Sequence, residues 1–308
     1  MGYLDRGTWN PERKIHGKGG AFERKQSSFR HAVTADGSSG FPAEPGRYHL
    51  FVSLACPWAC RAVIVRRLKR LTGVIGMSVV SPDMLENGWT FGGEVEPLTG
   101  ARHLWEIYVK ADPDYSGSVT VPVLWDKERQ TIVNNESAEI IRMLDTEFEA
   151  FADTSVDLYP KALTAEIDRI ADRIYPTLNN GVYRAGFATK QQAYDEAVRE
   201  VFATLDEMEA HLANRTWLVG DAPTEADVRL FTTLIRFDVV YFAHFKCNRR
   251  RIADYPNLSR WLRRFYELDG VAETVDFAQI KRHYYGSQLW VNPTGIVPIG
   301  PEVPFGTG

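Results

Sequence analysis

From Tyr48 onward the chain alternates: Tyr48, Leu50, Val52 and Leu54 fall on one side, His49, Phe51 and Ser53 on the other. That is the period of a strand. Cys56 and Pro57 follow, and Pro is favoured at the first helical position because its missing N–H needs no partner there. Cys56 is therefore expected at the cap of a helix whose stripe continues through Ile64, Leu68 and Leu71. The run "GVIGMSVV" (73–80) predicts a second buried strand, parallel to the first. Residues 81–117 carry Trp89, Trp105 and many Gly and Pro, with few regular signals. Next, "VTVPVLWDKERQTIV" (119–133) predicts two strands around an Asp-Lys-Glu-Arg turn. In "NNESAEIIRMLDTEF" (134–148), Ile140, Ile141, Leu144 and Phe148 share one side of a helix. Strand, helix, strand, long connection, hairpin and helix make a thioredoxin-like α/β domain over 47–150.

Beyond about 159 strand signals nearly vanish. Helical periodicity runs through "PKALTAEIDRIADRIYPTL", "KQQAYDEAVREVFATLDEMEAHL", "TEADVRLFTTLIRFDVVYFAHF" and "YPNLSRWLRRFYEL", so 151–308 is read as an all-α domain. Thr224 to Asp227 matches a capping box with Asp in place of Glu, after a Pro223 that stops the preceding stretch. Residues 1–46 are rich in Gly, Ser, Lys and Arg, lack periodicity and end in the turn cluster "GFPAEPGRY"; they read as an extended lead-in. "NPTGIVPIGPEVPFGTG" reads as a surface tail, and no internal repeat is visible.

Length and composition add boundaries rather than detail. A chain of 308 residues is long for one core, which favours two domains. A net charge of −4 and a pI near 6.0 give no long-range pull toward nucleic acid or anionic lipid. The run Arg249-Arg250-Arg251 reads as a solvated turn. Three cysteines do not make a disulfide framework and suit a reducing compartment. The opening "MGYLDRGTWNPERK" has no basic-then-apolar signal, and the apolar stretch 230–245 is interrupted by Arg236 and Asp238. A cytoplasmic protein is expected, with an address in the basic, polar first forty residues left open.

The chemistry centres on Cys56. Free N–H groups at a helix start, with the helix dipole behind them, favour a thiolate, and the strand ahead delivers the cysteine to the carboxyl edge of the sheet. Cys60 lies one turn deeper. Three residues separate the two cysteines, where a redox dithiol normally has two. A bridge would have to bring their Cα atoms within about 6.8 Å at the cost of helix distortion. Neither His49 nor Cys247 completes a zinc set, so no metal is expected and Cys60 and Cys247 read as packing cysteines. Pro122 implies an edge, a bulge or a cis bond. A cis Val121-Pro122 bond would aim the Val121 backbone groups at the space beside Cys56, where an extended peptide could pair with them. Glu136 and Ser137 open a helix and suit either the zwitterionic end of such a ligand or ordinary capping.

The motifs "CPWA" (56–59), "NGWTF" (87–91), "VTVPVLWD" (119–126), "NNES" (134–137), "YPTLNNGVYRAGFA" (175–188), "RFDVVYFAHFKCN" (236–248) and "NPTGIVPIGP" together resemble the glutathionyl-hydroquinone reductases, the Xi-class glutathione transferases. The resemblance covers nearly the whole chain. It implies the glutathione-transferase fold and reduction of glutathionyl-hydroquinones through a Cys56–glutathione mixed disulfide, which a second glutathione then releases. It also implies that Tyr183 exchanges the proton of the aromatic product, that Tyr241 and Tyr284 donate hydrogen bonds near the sulfur, and that the protein is a homodimer. By the same resemblance, Trp89, Ser118, Val119, Thr120, Val121, Glu136 and Ser137 contact glutathione. Tyr285, Trp105 and Trp217 stay read as core or interface aromatics. Family members commonly carry Arg where this chain has Ser118; losing that cation raises the alternative of another low-molecular-weight thiol, such as mycothiol. Two other readings are an omega-like thiol transferase or dehydroascorbate reductase, and a non-enzymatic binding scaffold. Neither requires three tyrosines in one place.

Overall fold

Two short strands, β1 (Tyr3–Asp5) and β2 (Thr8–Asn10), form a hairpin inside the segment expected to be an extended lead-in. Strands of three residues are too short to print a period of two, so the sequence hid them. The structure, a computed structural model, describes residues 2–12 and 17–305. Parts of the expected lead-in (Met1 and 13–16) and of the tail (306–308) lie outside the described residues.

The expected α/β order then unfolds: β3 (Tyr48–Val52), α1 (Pro57–Leu68), β4 (Gly76–Val79), α2 (Leu104–Ala111), β5 (Gly117–Ser118), β6 (Val123–Asp126), β7 (Thr131–Asn134) and α3 (Ser137–Thr146). The main sheet has the order β4-β3-β6-β7, with β3 parallel to β4 and antiparallel to β6. β1 lies between β2 and β5 in a second, smaller sheet. α1 and α3 pack against each other. The alternation read in β3 understates its burial, because Phe51 is buried along with Leu50 and Val52. Being a central strand, β3 has both faces covered: the Phe51 ring meets Phe91 at 6.0 Å and Trp125 at 6.4 Å. Two buried ion pairs tie neighbouring elements together. Arg47 reaches Asp126 across β3 and β6 at 2.7 Å, and Lys69, capping α1, reaches Asp145 of α3 at 3.0 Å.

α2 lies in the 81–117 stretch that carries few regular signals in the sequence. Its signal was present, since Leu104, Ile107 and Tyr108 stand at helical spacing and are buried. A single short helix among many Gly and Pro was masked by its neighbours.

The helical part comprises α4 (Thr164–Ile174), α5 (Gly181–Gly186), α6 (Gln191–His211), α7 (Glu225–Arg236), α8 (Pro256–Tyr266) and α9 (Phe277–Ser287). No strand occurs among the described residues of this part. The long run expected from Thr224 breaks after Arg236 into a wider π-turn, Phe237–Tyr241, and another π-turn, Tyr175–Asn179, follows α4. Such turns recur at functional sites. By contacts, residues 25–156 with the N-terminal hairpin form one unit, and residues 157–305 with 17–24 form another. The lead-in is thus divided between the two. No helix among the described residues is long and apolar enough to cross a membrane.

The capping box at the start of α7 is built as expected. The buried Asp227 carboxylate accepts from Leu218 N (3.0 Å), Thr224 N (2.9 Å), Thr224 Oγ1 (2.9 Å) and Trp261 Nε1 (2.9 Å). Burial raises its pKa above the usual carboxylate range, against the pull of those four donors. Asp227→Ala strands several buried donors, and should lower unfolding free energy by about 3 kcal/mol or more. Urea denaturation of the two proteins side by side reads the difference as a shift in midpoint.

Candidate active site

Cys56 is the N-cap of α1 with Pro57 behind it, as the sequence requires. Its Sγ lies 3.7 Å from Val121 O, so the thiol and the 118–121 segment meet. The Val121-Pro122 bond is cis, and Pro122 stands just ahead of β6 rather than within it. Tyr108 fixes this segment, since its hydroxyl donates to Thr120 O at 2.8 Å while Thr120 N points back at 3.2 Å. Tyr115 donates to Ser118 O at 3.0 Å. Val119 and Val121 are buried, and Ser118 sits in β5 opposite Tyr3 of β1. Trp89 is buried in the connection after β4, where its carbonyl accepts from Leu104 N at 2.9 Å.

Glu136 caps α3. Its Oε1 accepts from Ala138 N at 3.2 Å, and its Oε2 from Ser27 Oγ at 3.0 Å. The capping role weighed from sequence is therefore present, although the first-turn N–H groups and the carboxylate remain suited to a charged ligand end. Ser137 is buried and accepts from Arg61 Nη1 at 3.4 Å. Ser27 and Arg61 were missed by sequence reasoning. Ser27 lies in chain without periodicity, and Arg61 lies in a helix otherwise read for its apolar stripe.

Tyr183 on α5, Tyr241 at the end of the Phe237–Tyr241 π-turn and Tyr284 on α9 converge. The Tyr284 hydroxyl is bonded to that of Tyr183 at 2.5 Å and to that of Tyr241 at 3.0 Å. Phe245 holds the three rings, at 5.3 Å from Tyr183, 5.3 Å from Tyr241 and 5.6 Å from Tyr284. Gly186 makes room for Phe245, because a Cβ there would come within 2.2 Å of its ring. Burial, and then the neighbouring phenols, push the pKa of Tyr241 and Tyr284 well above the ordinary tyrosine value. Both stay neutral at physiological pH and remain O–H donors. The lead-in contributes here as well: the Arg24 guanidinium lies 5.0 Å over the Tyr183 ring and its Nε donates to Asn180 Oδ1 at 2.8 Å.

Cys60 and Cys247 are buried, and no disulfide joins the three cysteines. Burial drives the Cys247 thiol far above the usual cysteine range, which makes it inert as a nucleophile. Tyr285 and Trp217 are buried, Trp217 against Phe265 at 6.2 Å. Among the described residues no group of three or more His, Cys, Asp or Glu is placed to hold a metal ion.

A cap cysteine beside a cis-proline segment, on a four-stranded thioredoxin-like sheet and followed by a helical domain, defines the glutathione S-transferase class of proteins. The family model described as "Glutathione S-transferase, N-terminal domain" matches residues 55–147, and "Glutathione S-transferase, C-terminal domain" matches 191–264. Glutathionyl-hydroquinone reductase PcpF of Sphingobium chlorophenolicum is 52% identical, covering 99% of this chain and 98% of its own. A Xi-class glutathione transferase from Natrialba magadii superposes with a TM-score of 0.93 at 48% identity, over 100% of this chain and 95% of that one. The glutathione-bound structure of YqjG from Escherichia coli K-12 superposes with a TM-score of 0.90 at 50% identity, over 99% of this chain and 97% of that one. The chain belongs to the glutathione transferase family, in the Xi class of glutathionyl-hydroquinone reductases.

Proposed function

We propose that this protein reduces S-glutathionyl-hydroquinones to hydroquinones with glutathione as reductant. Residues 47–150 act as the thiol-binding domain and 151–308 as the substrate domain. The Cys56 thiolate attacks the sulfur of the glutathionyl group. The carbon–sulfur bond breaks with its electron pair going to the ring carbon, which takes a proton from Tyr183, and Cys56 is left as a mixed disulfide with glutathione. The thiolate of a second glutathione then attacks that disulfide. Glutathione disulfide leaves and the Cys56 thiolate returns; the proton given up by the second glutathione balances the one delivered to the ring.

The observation that carries this reading is the hydroxyl chain Tyr241–Tyr284–Tyr183. An omega-like thiol transferase needs no phenolic proton relay, and neither does a binding scaffold. Tyr241 and Tyr284, held neutral, donate to developing negative charge and keep the Tyr183 proton mobile toward the product. Trp89 covers the tripeptide, the 118–121 backbone pairs with it, and Glu136 with Ser137 receives its γ-glutamyl end. Like PcpF, the protein is expected to release free hydroquinone from a panel of glutathionyl-hydroquinone conjugates. Reduction of dehydroascorbate with no such release would favour the omega-like reading.

Ser118 supplies no cation for a ligand carboxylate, while the Val121 backbone stands beside the Cys56 sulfur. Because pairing with backbone groups favours a peptide thiol, glutathione is expected to support faster turnover than mycothiol in parallel assays. The reverse order would transfer the reaction to the other thiol. A homodimer working in the cytoplasm, where its thiols stay reduced, completes the reading. Light scattering at assay concentration checks the dimer.

A further inference from the structure

We propose that the N-terminal hairpin is a brace of the glutathione site and that Trp9 is the positioning residue that holds Trp89 in place; this rests on the reading of Trp89 and residues 118–121 as glutathione contacts. Those contacts come from two stretches of irregular chain, neither of which has a helix or long strand to fix it. The hairpin touches both. β1 pairs with β5 in the register Tyr3–Ser118 and Leu4–Gly117. At the hairpin turn, Arg6 N donates to Ser116 Oγ at 2.8 Å and Gly7 N to Tyr115 O at 3.0 Å. The first five residues of structure therefore set the height of Ser118 in the sheet.

Trp9, on the neighbouring strand β2, reaches the other stretch. Its indole Nε1 donates to Glu86 O at 3.0 Å, three residues before Trp89. Its ring lies against Gly88, where an added Cβ would come within 2.7 Å of the indole, and Gly88 has a positive φ of 64°. Only glycine adopts that backbone with an indole so close. The opposite support is aromatic: Trp9 stacks on Trp105 at 6.2 Å and 14°, and Trp105 stacks on His103 at 5.4 Å and 8°. His103 is fixed in turn by Glu106 at 2.6 Å, and its backbone bridges to Thr90. Residues 86–90 are thereby gripped between the hairpin and the start of α2, and Trp89 is aimed by that grip. Since the reacting sulfur stands at the N-cap of α1, loosening the grip should weaken glutathione binding while leaving the chemical step intact.

The test is glutathione titration by calorimetry and by steady-state kinetics, on wild type, Trp9→Phe, Trp9→Ala, Trp89→Ala and the Trp9→Ala/Trp89→Ala pair. Trp9→Phe keeps one ring for the stack on Trp105 but deletes the N–H together with the outer indole ring that lies against Gly88; it should raise both Kd and KM for glutathione about threefold. Trp9→Ala also deletes the stack on Trp105 and should raise them about tenfold or more. In both, kcat at saturating glutathione should stay within about twofold, a split that general destabilisation would not produce. In the Trp89→Ala background the Trp9 change should have no further effect. If Trp89→Ala weakens glutathione binding and neither Trp9 variant does, the brace is refuted and the site reading stands. If Trp89→Ala itself binds glutathione like wild type, the reading of Trp89 fails and the inference falls with it. Should Trp9→Ala not fold, Trp9→Phe alone decides between these outcomes.

Discussion

Cys56→Ser is expected to lower hydroquinone release from a glutathionyl-hydroquinone by at least about a thousandfold, without loss of stability. The two halves of that expectation have separate causes. Serine is among the preferred N-cap residues, so α1 keeps its start, and the hydroxyl is close in size to the thiol it replaces. The chemistry, by contrast, needs an ionised nucleophile that leaves as readily as it attacks. An alkoxide meets neither requirement near neutral pH, and helix-start N–H groups do not bring a hydroxyl to ionisation there. Cys60 offers no rescue, being buried one turn behind Cys56, and Cys247 is buried with its pKa driven up. Hydroquinone release by Cys56→Ser at a rate near wild type would remove the cysteine from the mechanism.

Tyr183→Phe is expected to slow the first half-reaction by about a hundredfold, the typical cost of losing a positioned general acid, and to leave the second half-reaction unchanged. The substitution is mild for the fold. Phe keeps the ring contacts to Phe187 at 5.6 Å and Phe245 at 5.3 Å, while Tyr284 keeps its bond to Tyr241 at 3.0 Å. Only the hydroxyl that would protonate the product carbon is gone. Release of glutathione disulfide from preformed mixed-disulfide enzyme involves no carbon acid, so its rate should match wild type. Stopped-flow measurement of each half separates the steps. Equal slowing of both halves would show that Tyr183 shapes the site without donating a proton.

Much of this was legible in the residues. The Cys-Pro cap, the parallel strand pair, the hairpin around Asp-Lys-Glu-Arg and the Thr224 capping box each rest on local chemistry, and local chemistry is what a sequence prints. The tyrosine convergence was legible only through family motifs, because Tyr183, Tyr241 and Tyr284 lie on three separate elements and no spacing rule joins them. What stayed hidden was the lead-in. Its work is done by single residues in irregular chain: Trp9 on Glu86, Ser27 on Glu136, Arg24 over Tyr183. Such contacts leave no period. α9 escaped for a related reason, since Tyr284 and Tyr285 lie in a helix with mixed polarity around it.

The most direct measurement mixes enzyme with a glutathionyl-hydroquinone in the absence of any free thiol, then reads both products by mass spectrometry. The account predicts a single turnover: about one hydroquinone released per chain, and one glutathionyl group on the peptide carrying Cys56, removed when glutathione is added. Hydroquinone formation with no adduct, or an adduct on Cys60 or Cys247 instead, would contradict it.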